Sequence, residues 1–431
     1  MRWRLEDTAE QAAFRQGFRD WLAETVEPGW MEAIDGGDEE AFAEVYSRAQ
    51  DNGHHMISWM QTIGASGFGA PHWPEEHGGL SAEPWALLTV REELARYRLP
   101  TFGPNILGVG MAGPTIIAHG TEAQKERYLR KILTGEDIWC QMFSEPGAGS
   151  DLASLSTRAV RDGDTRPASP EGTGGWVIDG QKVWTTLAQF ARFGMLLVRT
   201  DPDAPKHAGL TYFLADMWAE GIEVRPLKQM TGGEEFNEVW FNGVRIPDES
   251  RVGEVDGGWH CARTTLMNER IAIAGLSLDI SAAMGGSARR DPWETLLAGV
   301  SDRSDPTLRQ RLAQNWIEQQ VREINLFRAN AARQAGHDPG PEGAIGKVLN
   351  AEGNQRRAEL AVNAAGMGGV AWLPDDAAAE RRAEAFLRSR ANTIEGGTSE
   401  ILRNQIAERV LGLPREPQAD KDLPWREIRR S

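Results

Sequence analysis

The chain has 431 residues, enough for two to four domains of ordinary size, and carries 47 Lys and Arg against 63 Asp and Glu, a net charge of −16. Acid in that excess repels phosphate backbones and anionic bilayers, so neither nucleic acid nor a membrane is expected as a partner. Cys140 and Cys261 are too few for a disulfide scaffold or a cysteine-built zinc site. No apolar run approaches the ~18 residues of a membrane helix, and the start MRWRLEDTAEQ has no apolar signal core, so a cytoplasmic globular enzyme is expected.

Residues 1–138 read as helices with Gly- and Pro-rich interruptions. Thr121-Glu-Ala-Gln124 is a capping box, Tyr128 and Ile132 repeat at helical spacing, and Gly135 closes the helix. From about 139 to 252 the period changes to that of strands. Asp179-Gly180 in WVIDGQKVW and Asn242-Gly243 in VWFNGVRI are read as hairpin turns, with the runs MLLVRT, LTYFLA and IEVRPL as further strands. After residue 253 the helical period returns. Leu308, Leu312, Trp316, Ile317, Ile324 and Phe327 form one stripe over 306–336, and 341–365 and 398–411 are helical too. The stretch 161–175 reads as a flexible loop, and 413–431 as a polar, Pro-punctuated tail. The expected architecture is therefore α+β and multidomain. It comprises an N-terminal helical domain (1–138), a middle antiparallel β domain (139–252), a C-terminal helical bundle (253–412) and the tail.

Three patterns are set aside. Gly108-Val-Gly110-Met-Ala-Gly113 satisfies the dinucleotide fingerprint, but a breaker-rich segment precedes it where a strand is needed, and Pro114 follows at once. His72 and His77 are separated by Pro74 and followed by Gly78-Gly79, so no helix holds them one turn apart, and His54-His55 reads as a solvated pair. Cys140 and Cys261 sit in no redox or metal spacing and are expected as buried small apolar groups.

The informative stretch is Phe143-Ser-Glu-Pro-Gly-Ala-Gly-Ser-Asp151. A Pro-Gly-x-Gly-Ser turn exposes consecutive amides and the hydroxyls of Ser144 and Ser150, which suits a heteroaromatic ring edge or a phosphate; an ordinary surface turn is the plainer alternative. The whole segment resembles the flavin-binding signature of the acyl-CoA dehydrogenase family. The resemblance continues through WVIDGQKVWTT (176–186), FNEVWFNGVRIPDESRVG (236–253) and TIEGGTSEILRNQIAERVLG (393–412), and the α-β-α plan is also that family's.

What the resemblance implies is specific. FAD is the cofactor. Ser144 bonds the flavin pyrimidine edge, and Ser150 sits where flavin phosphate and substrate pantetheine meet. Trp184 packs on the flavin face away from substrate, and Thr186 bonds flavin N5. Thr398 and Glu400 contact the dinucleotide of the same or a neighbouring subunit, and Arg270 organises the site near coenzyme A. The substrate is an acyl-CoA thioester converted to a 2,3-enoyl-CoA, and the electrons pass to an electron-transfer flavoprotein. The assembly is a homotetramer, or a heterotetramer with a homologue. Two places depart from the family pattern. GVSDRSDPTLRQR lacks the Arg-x-x-Phe-Gly element that reaches a neighbouring FAD, and Asn363 stands where many members have Gln.

Removal of the α-proton asks for one desolvated carboxylate, while oriented donors polarise the thioester carbonyl. Glu395 and Glu269 compete. Counting back from Gly-Thr-Ser, the C-terminal base position of the family falls on Gly396, so Glu395 is one residue early and points elsewhere. Glu269, just before Arg270, matches the other family solution, in which an earlier helix supplies the base. Gly396 then keeps only its backbone N–H for the thioester carbonyl. A flavin oxidase or monooxygenase on the same fold, and a structural subunit of a mixed tetramer, are the competing readings.

Overall fold

The computed structural model describes residues 6–52, 56–100, 105–162, 174–275, 292–300, 302, 304–335, 343–371, 376–417 and 420–428. The loop read at 161–175 and the pair His54-His55 fall largely or wholly outside them.

The N-terminal helices are α1 (Ala9–Thr25), α2 (Trp30–Asp35), α3 (Glu39–Asp51), α4 (Met56–Ala65), α5 (Trp85–Arg96), α6 (Gly113–His119) and α7 (Glu122–Thr134). Helix α1 opens on a capping box from Thr8 and Gln11, and α7 on the one from Thr121 and Gln124. Gly135, at φ 69°, ends α7. Apolar faces of α1, α3 and α5 meet around Phe18, Leu22, Val45 and Leu94. The Gly108-to-Gly113 segment is helical: a π-helical turn, Gly108–Ala112, runs straight into α6. Gly108 and Gly113 serve packing, since a Cβ on Gly113 would lie 2.1 Å from the Trp73 ring and one on Gly108 2.3 Å from the Asn105 side chain.

The middle region is an eight-stranded sheet built from β1 (Trp139–Met142), β2 (Arg158–Arg161), β3 (Gly175–Thr186), β4 (Phe193–Arg199), β5 (Leu210–Asp216), β6 (Ile222–Leu227), β7 (Phe236–Pro247) and β8 (Arg251–Val252). The order is β6-β7-β3-β2-β4-β5-β8, with β1 beside β4. Pairing is antiparallel apart from β1 and β2, which meet β4 in parallel. Strands β4 and β5 are largely apolar and buried because both faces are covered. Met195, Leu197, Tyr212 and Leu214 pack with α6, α7 and the helix after the sheet, and Leu196, Val198 and Phe213 with Trp176, Ile178 and Phe241.

The two expected hairpins are not there. Asp179-Gly180 lies inside β3 and Asn242-Gly243 inside β7, and these long strands pair with each other. Between Ile178↔Val244 and Gly180↔Phe241, one residue of β3 opposes two of β7, a β-bulge with Gly243 at φ 64°. The Asp179 carboxylate accepts the Gly243 N–H at 2.9 Å. Asx-Gly favours positive φ and a local bond to the backbone, and a bulge uses the same chemistry as a hairpin turn.

The C-terminal bundle comprises α8 (Gly258–Gly275), α9 (Pro292–Ala298), α10 (Pro306–Gln334), α11 (Gly343–Ala364), α12 (Met367–Val370), α13 (Ala377–Ser389) and α14 (Ser399–Gln405), with α11 packed against α8, α10, α13 and α14. Leu308 and Leu312 of the α10 stripe are buried, whereas Trp316, Ile317 and Ile324 are 46%, 50% and 39% exposed on this chain. The polar tail is partly docked. Trp425 is buried, donates its N–H to the Ala204 carbonyl at 2.9 Å and its Nε1 to the Ser154 carbonyl, and lies under the Arg199 guanidinium. Among the described residues no helix is long and apolar enough to cross a membrane.

If Gly108 and Gly113 serve close packing, Gly113→Ala should destabilise the fold by about 1–3 kcal/mol, the usual cost of overpacking. Thermal unfolding of the variant checks this; an unchanged midpoint would mean that Trp73 moves aside freely.

Candidate active site

A cleft of about 1390 Å³ lies where the end of α5, the sheet, α8 and the loop before α14 meet. Ser144, Ser150, Trp184, Thr186, Glu269, Gly396 and Thr398 all line it. Glu400 does not; it is exposed on the first turn of α14, where the helix's own amides and Thr398 lower its carboxyl pKa. The side chain of Arg270 lies outside the described residues. Asn363 is exposed and away from the cleft.

The Ser144-to-Ser150 segment is a tight turn in which Glu145 and Ala148 exchange both backbone hydrogen bonds, at 3.0 and 3.1 Å. It is bolted to the sheet from below. The buried Glu145 carboxylate accepts Lys182 Nζ at 2.8 Å, the N–H groups of Ser156 and Thr157 at 2.7 and 2.9 Å, and the Ser156 hydroxyl. Lys182, fully buried, also donates to the Phe143 carbonyl, and the Val183 N–H donates to the Ser144 carbonyl. Burial alone would raise the Glu145 carboxyl, but Lys182 and the surrounding donors hold it down at about 2.

The same strand aims Trp184. Between Lys182↔Val239 and Thr185↔Asn237 a second bulge sets two residues of β3 against one of β7, and Trp184 adopts φ 60°. A left-handed tryptophan costs roughly 1–3 kcal/mol and persists only where its surroundings enforce it. The result is a large indole left 60% exposed at the cleft, nearly perpendicular to the Phe236 ring. The hydroxyls of Ser144, Ser150 and Thr186 make no hydrogen bond among the described residues, and a Cβ on Gly147 or Gly149 would meet nothing within 4 Å. A flat indole face, outward hydroxyls and an open glycine turn fit a planar polar ring system.

The two candidate carboxylates have different surroundings. Glu269, on α8, accepts the Gln141 amide at 3.2 Å. Glu395 also borders the cleft, but Arg388 donates to one of its oxygens at 2.9 Å and Asn392 to the other at 2.7 Å. Gly396 and Gly397 follow at φ 61° and 96°, and the Gly396 N–H has no acceptor among the described residues. Sequence reasoning missed Gln141, Arg388 and Asn392. Gln141 was detectable as the one polar residue of the strand WCQM; Arg388 and Asn392 carry no local signal.

Residues 8–136, 140–244 and 256–411 match, in turn, the N-terminal, middle and C-terminal domains of acyl-CoA dehydrogenase. The chain belongs to the acyl-CoA dehydrogenase family. It is accordingly an FAD-dependent oxidoreductase of that family, and the flavin fits the cradle just described. Acyl-CoA dehydrogenase FadE34 of Mycobacterium tuberculosis is 42% identical over 351 residues, covering 81% of this chain but 45% of FadE34, so the chain spans under half the length of that relative. Acyl-CoA dehydrogenase IpdE1 of Mycolicibacterium smegmatis is 37% identical over 94% of this chain and 99% of its own length. Among solved structures, the Tcur3481-Tcur3483 steroid ACAD superposes with a TM-score of 0.71 at 28% identity, covering 96% of this chain and 100% of that one.

The Glu145 carboxyl is depressed in the folded dehydrogenase from 4.5 to about 2. Its contribution to stability is therefore complete above about pH 4.5 and is lost as pH falls toward about 2. At neutral pH, Glu145→Gln strands the buried Lys182 and should cost about 3–5 kcal/mol, with weaker FAD retention. Urea unfolding at pH 7 and pH 3 checks both points: the wild-type–variant gap should narrow in acid.

Proposed function

We propose that this chain dehydrogenates an acyl-CoA thioester at Cα and Cβ to give the 2,3-enoyl-CoA, with Glu269 as the base. One observation carries the assignment of the base: of the two carboxylates at the cleft, Glu395 has both oxygens engaged by Arg388 and Asn392, which ties it to its own loop. To accept a proton, Glu395 would have to give up an ion pair. Glu269 is bridged to β1 by the Gln141 amide, which aims its carboxylate.

The other roles follow from the cleft. Ser144, Ser150, Trp184 and Thr186 would hold the flavin, and bound FAD supplies the acceptor for the hydride that leaves Cβ. The Gly396 N–H, with no acceptor among the described residues, serves as donor to the thioester oxygen as enolate character develops at Cα. Arg270 is assigned to the coenzyme A end, and Thr398 and Glu400 to the dinucleotide. For Glu400, exposed and outside this chain's cleft, that role belongs to contact with a neighbouring subunit. Electrons leave to an electron-transfer flavoprotein.

The acyl end is walled by Leu99, Ile106, Leu107, Met111, Leu266 and Met267, an apolar lining suited to a bulky acyl group. The steroid ACAD's name supports a ring-bearing substrate. Its two-part name, together with the exposed Trp316, Ile317 and Ile324 of α10, supports an oligomer, including one formed with a homologue.

In single turnover with its best acyl-CoA, Glu269→Gln should slow flavin reduction by at least about 10²-fold and leave FAD content unchanged. Glu395→Gln, which keeps size and the amide contact, should stay within a few-fold of wild type. A dead Glu395→Gln beside a near-normal Glu269→Gln would move the base to the C-terminal loop. The chain purified alone should carry FAD and run as a dimer or larger by light scattering. A monomer that takes up no added FAD would favour a structural subunit.

A further inference from the structure

The loop that carries Gly396 is the least self-sufficient part of the site. Two successive glycines at φ 61° and 96° give it wide conformational freedom. Its rigidity has to come from outside, and it comes from one face of α11. Lys347, 5% exposed, sends its ammonium to the carbonyls of Asn392 at 2.6 Å and of Gly397 at 3.1 Å, bracketing Glu395 and Gly396. Two turns further along, Asn354 donates to the Asn392 side chain and Gln355 to the Thr393 hydroxyl. The Glu395 carboxylate, held by Arg388 and Asn392, closes the loop from the other side.

We propose that Lys347 is a positioning residue for the proton-abstraction step, clamping the 392–397 loop so that the Gly396 N–H is pre-aimed at the thioester oxygen. This rests on the dehydrogenase reading above. Both ends of the loop converge on a single buried cation, so neither carbonyl can swing without stranding that charge. The positive charge is fixed to the carbonyls on either side of the Gly396 N–H, at a depth where little water screens it. Both cleft carboxylates act on the ammonium. Burial lowers its pKa, and Glu395 and Glu269 work to keep it protonated. Hydrogen bonds to two carbonyls also require a donor, which the protonated amine supplies three times over.

The test uses Lys347→Met in the FAD-loaded enzyme, with a 3-thiaacyl-CoA made from its best acyl chain. The α-proton of that thioester is acidic, and its bound enolate gives a long-wavelength charge-transfer band with oxidised flavin. Titration of the band against pH reads α-proton acidity without turnover. We expect flavin reduction by the true substrate to slow by about 10-fold to 10²-fold, the scale of a misaimed oxyanion donor. The bound α-proton pKa should rise by about one unit or more, with FAD content and thioester affinity changed by less than about threefold. Lys347→Gln, which keeps one neutral donor, should fall between. Should Lys347→Met fail to fold with FAD, Lys347→Gln decides on the same two readouts. An unshifted band titration in a folded variant overturns the proposal, even if thermal stability drops, because a merely structural lysine would change stability alone. A wild-type enzyme that gives no band and no reduction with any acyl-CoA takes down the dehydrogenase reading, and this one with it.

Discussion

A buried ammonium–carboxylate pair, Lys182 with Glu145, joins the turn that would cradle a flavin to the strand that would supply its two other contacts. Lys182 is two residues from Trp184 and four from Thr186 on β3, and Glu145 lies between Ser144 and Pro146. One 2.8 Å contact therefore sets the spacing between the hydroxyl-bearing turn and the indole. Such a pair is costly to bury and gains little over a well-packed apolar contact, but it tolerates no slippage, because a shift of one residue leaves a charge unpaired. The four donors around Glu145 add direction to that constraint.

The β3–β7 ribbon turns this anchoring into shape. Its two bulges each set two residues against one. The first absorbs Asn242-Gly243 opposite Asp179, and the second rotates Trp184 out of the strand alternation into a left-handed conformation. In regular strand geometry Thr185 and Trp184 would face opposite sides of the sheet, and a fully paired Trp184 would be buried or aimed away. The backbone strain at Trp184 is held by the paired strand on one side and the anchored turn on the other.

On the opposite wall the C-terminal bundle works by a different principle. Its loop gains freedom from glycines and loses it again to side chains from α11 and α13. That arrangement leaves Glu395, the carboxylate nearest in sequence to the family's C-terminal base position, as part of the loop's anchorage.

Much of this was legible in the chain itself. Capping boxes, the C-terminal Gly135, the change from a helical to a strand period, and ordered motifs spread over most of the length are local signals, and local physics decides them. Ser144, Ser150, Trp184, Thr186, Glu269, Gly396 and Thr398, scattered over some 250 positions, were identifiable by motif, and folding brings them to one cleft. The Asx-Gly pairs show the limit. Their preference for positive φ was correctly seen, but a bulge and a hairpin share it, and only pairing with a distant strand selects between them. The same holds for Lys347, whose meaning depends on what lies across a helix–loop contact tens of residues away. Sequence by itself determined which residues could do chemistry and which backbone positions had to bend. Tertiary structure decided which of them share one cleft and what each carboxylate there touches, because a charge's surroundings are set by its neighbours in space.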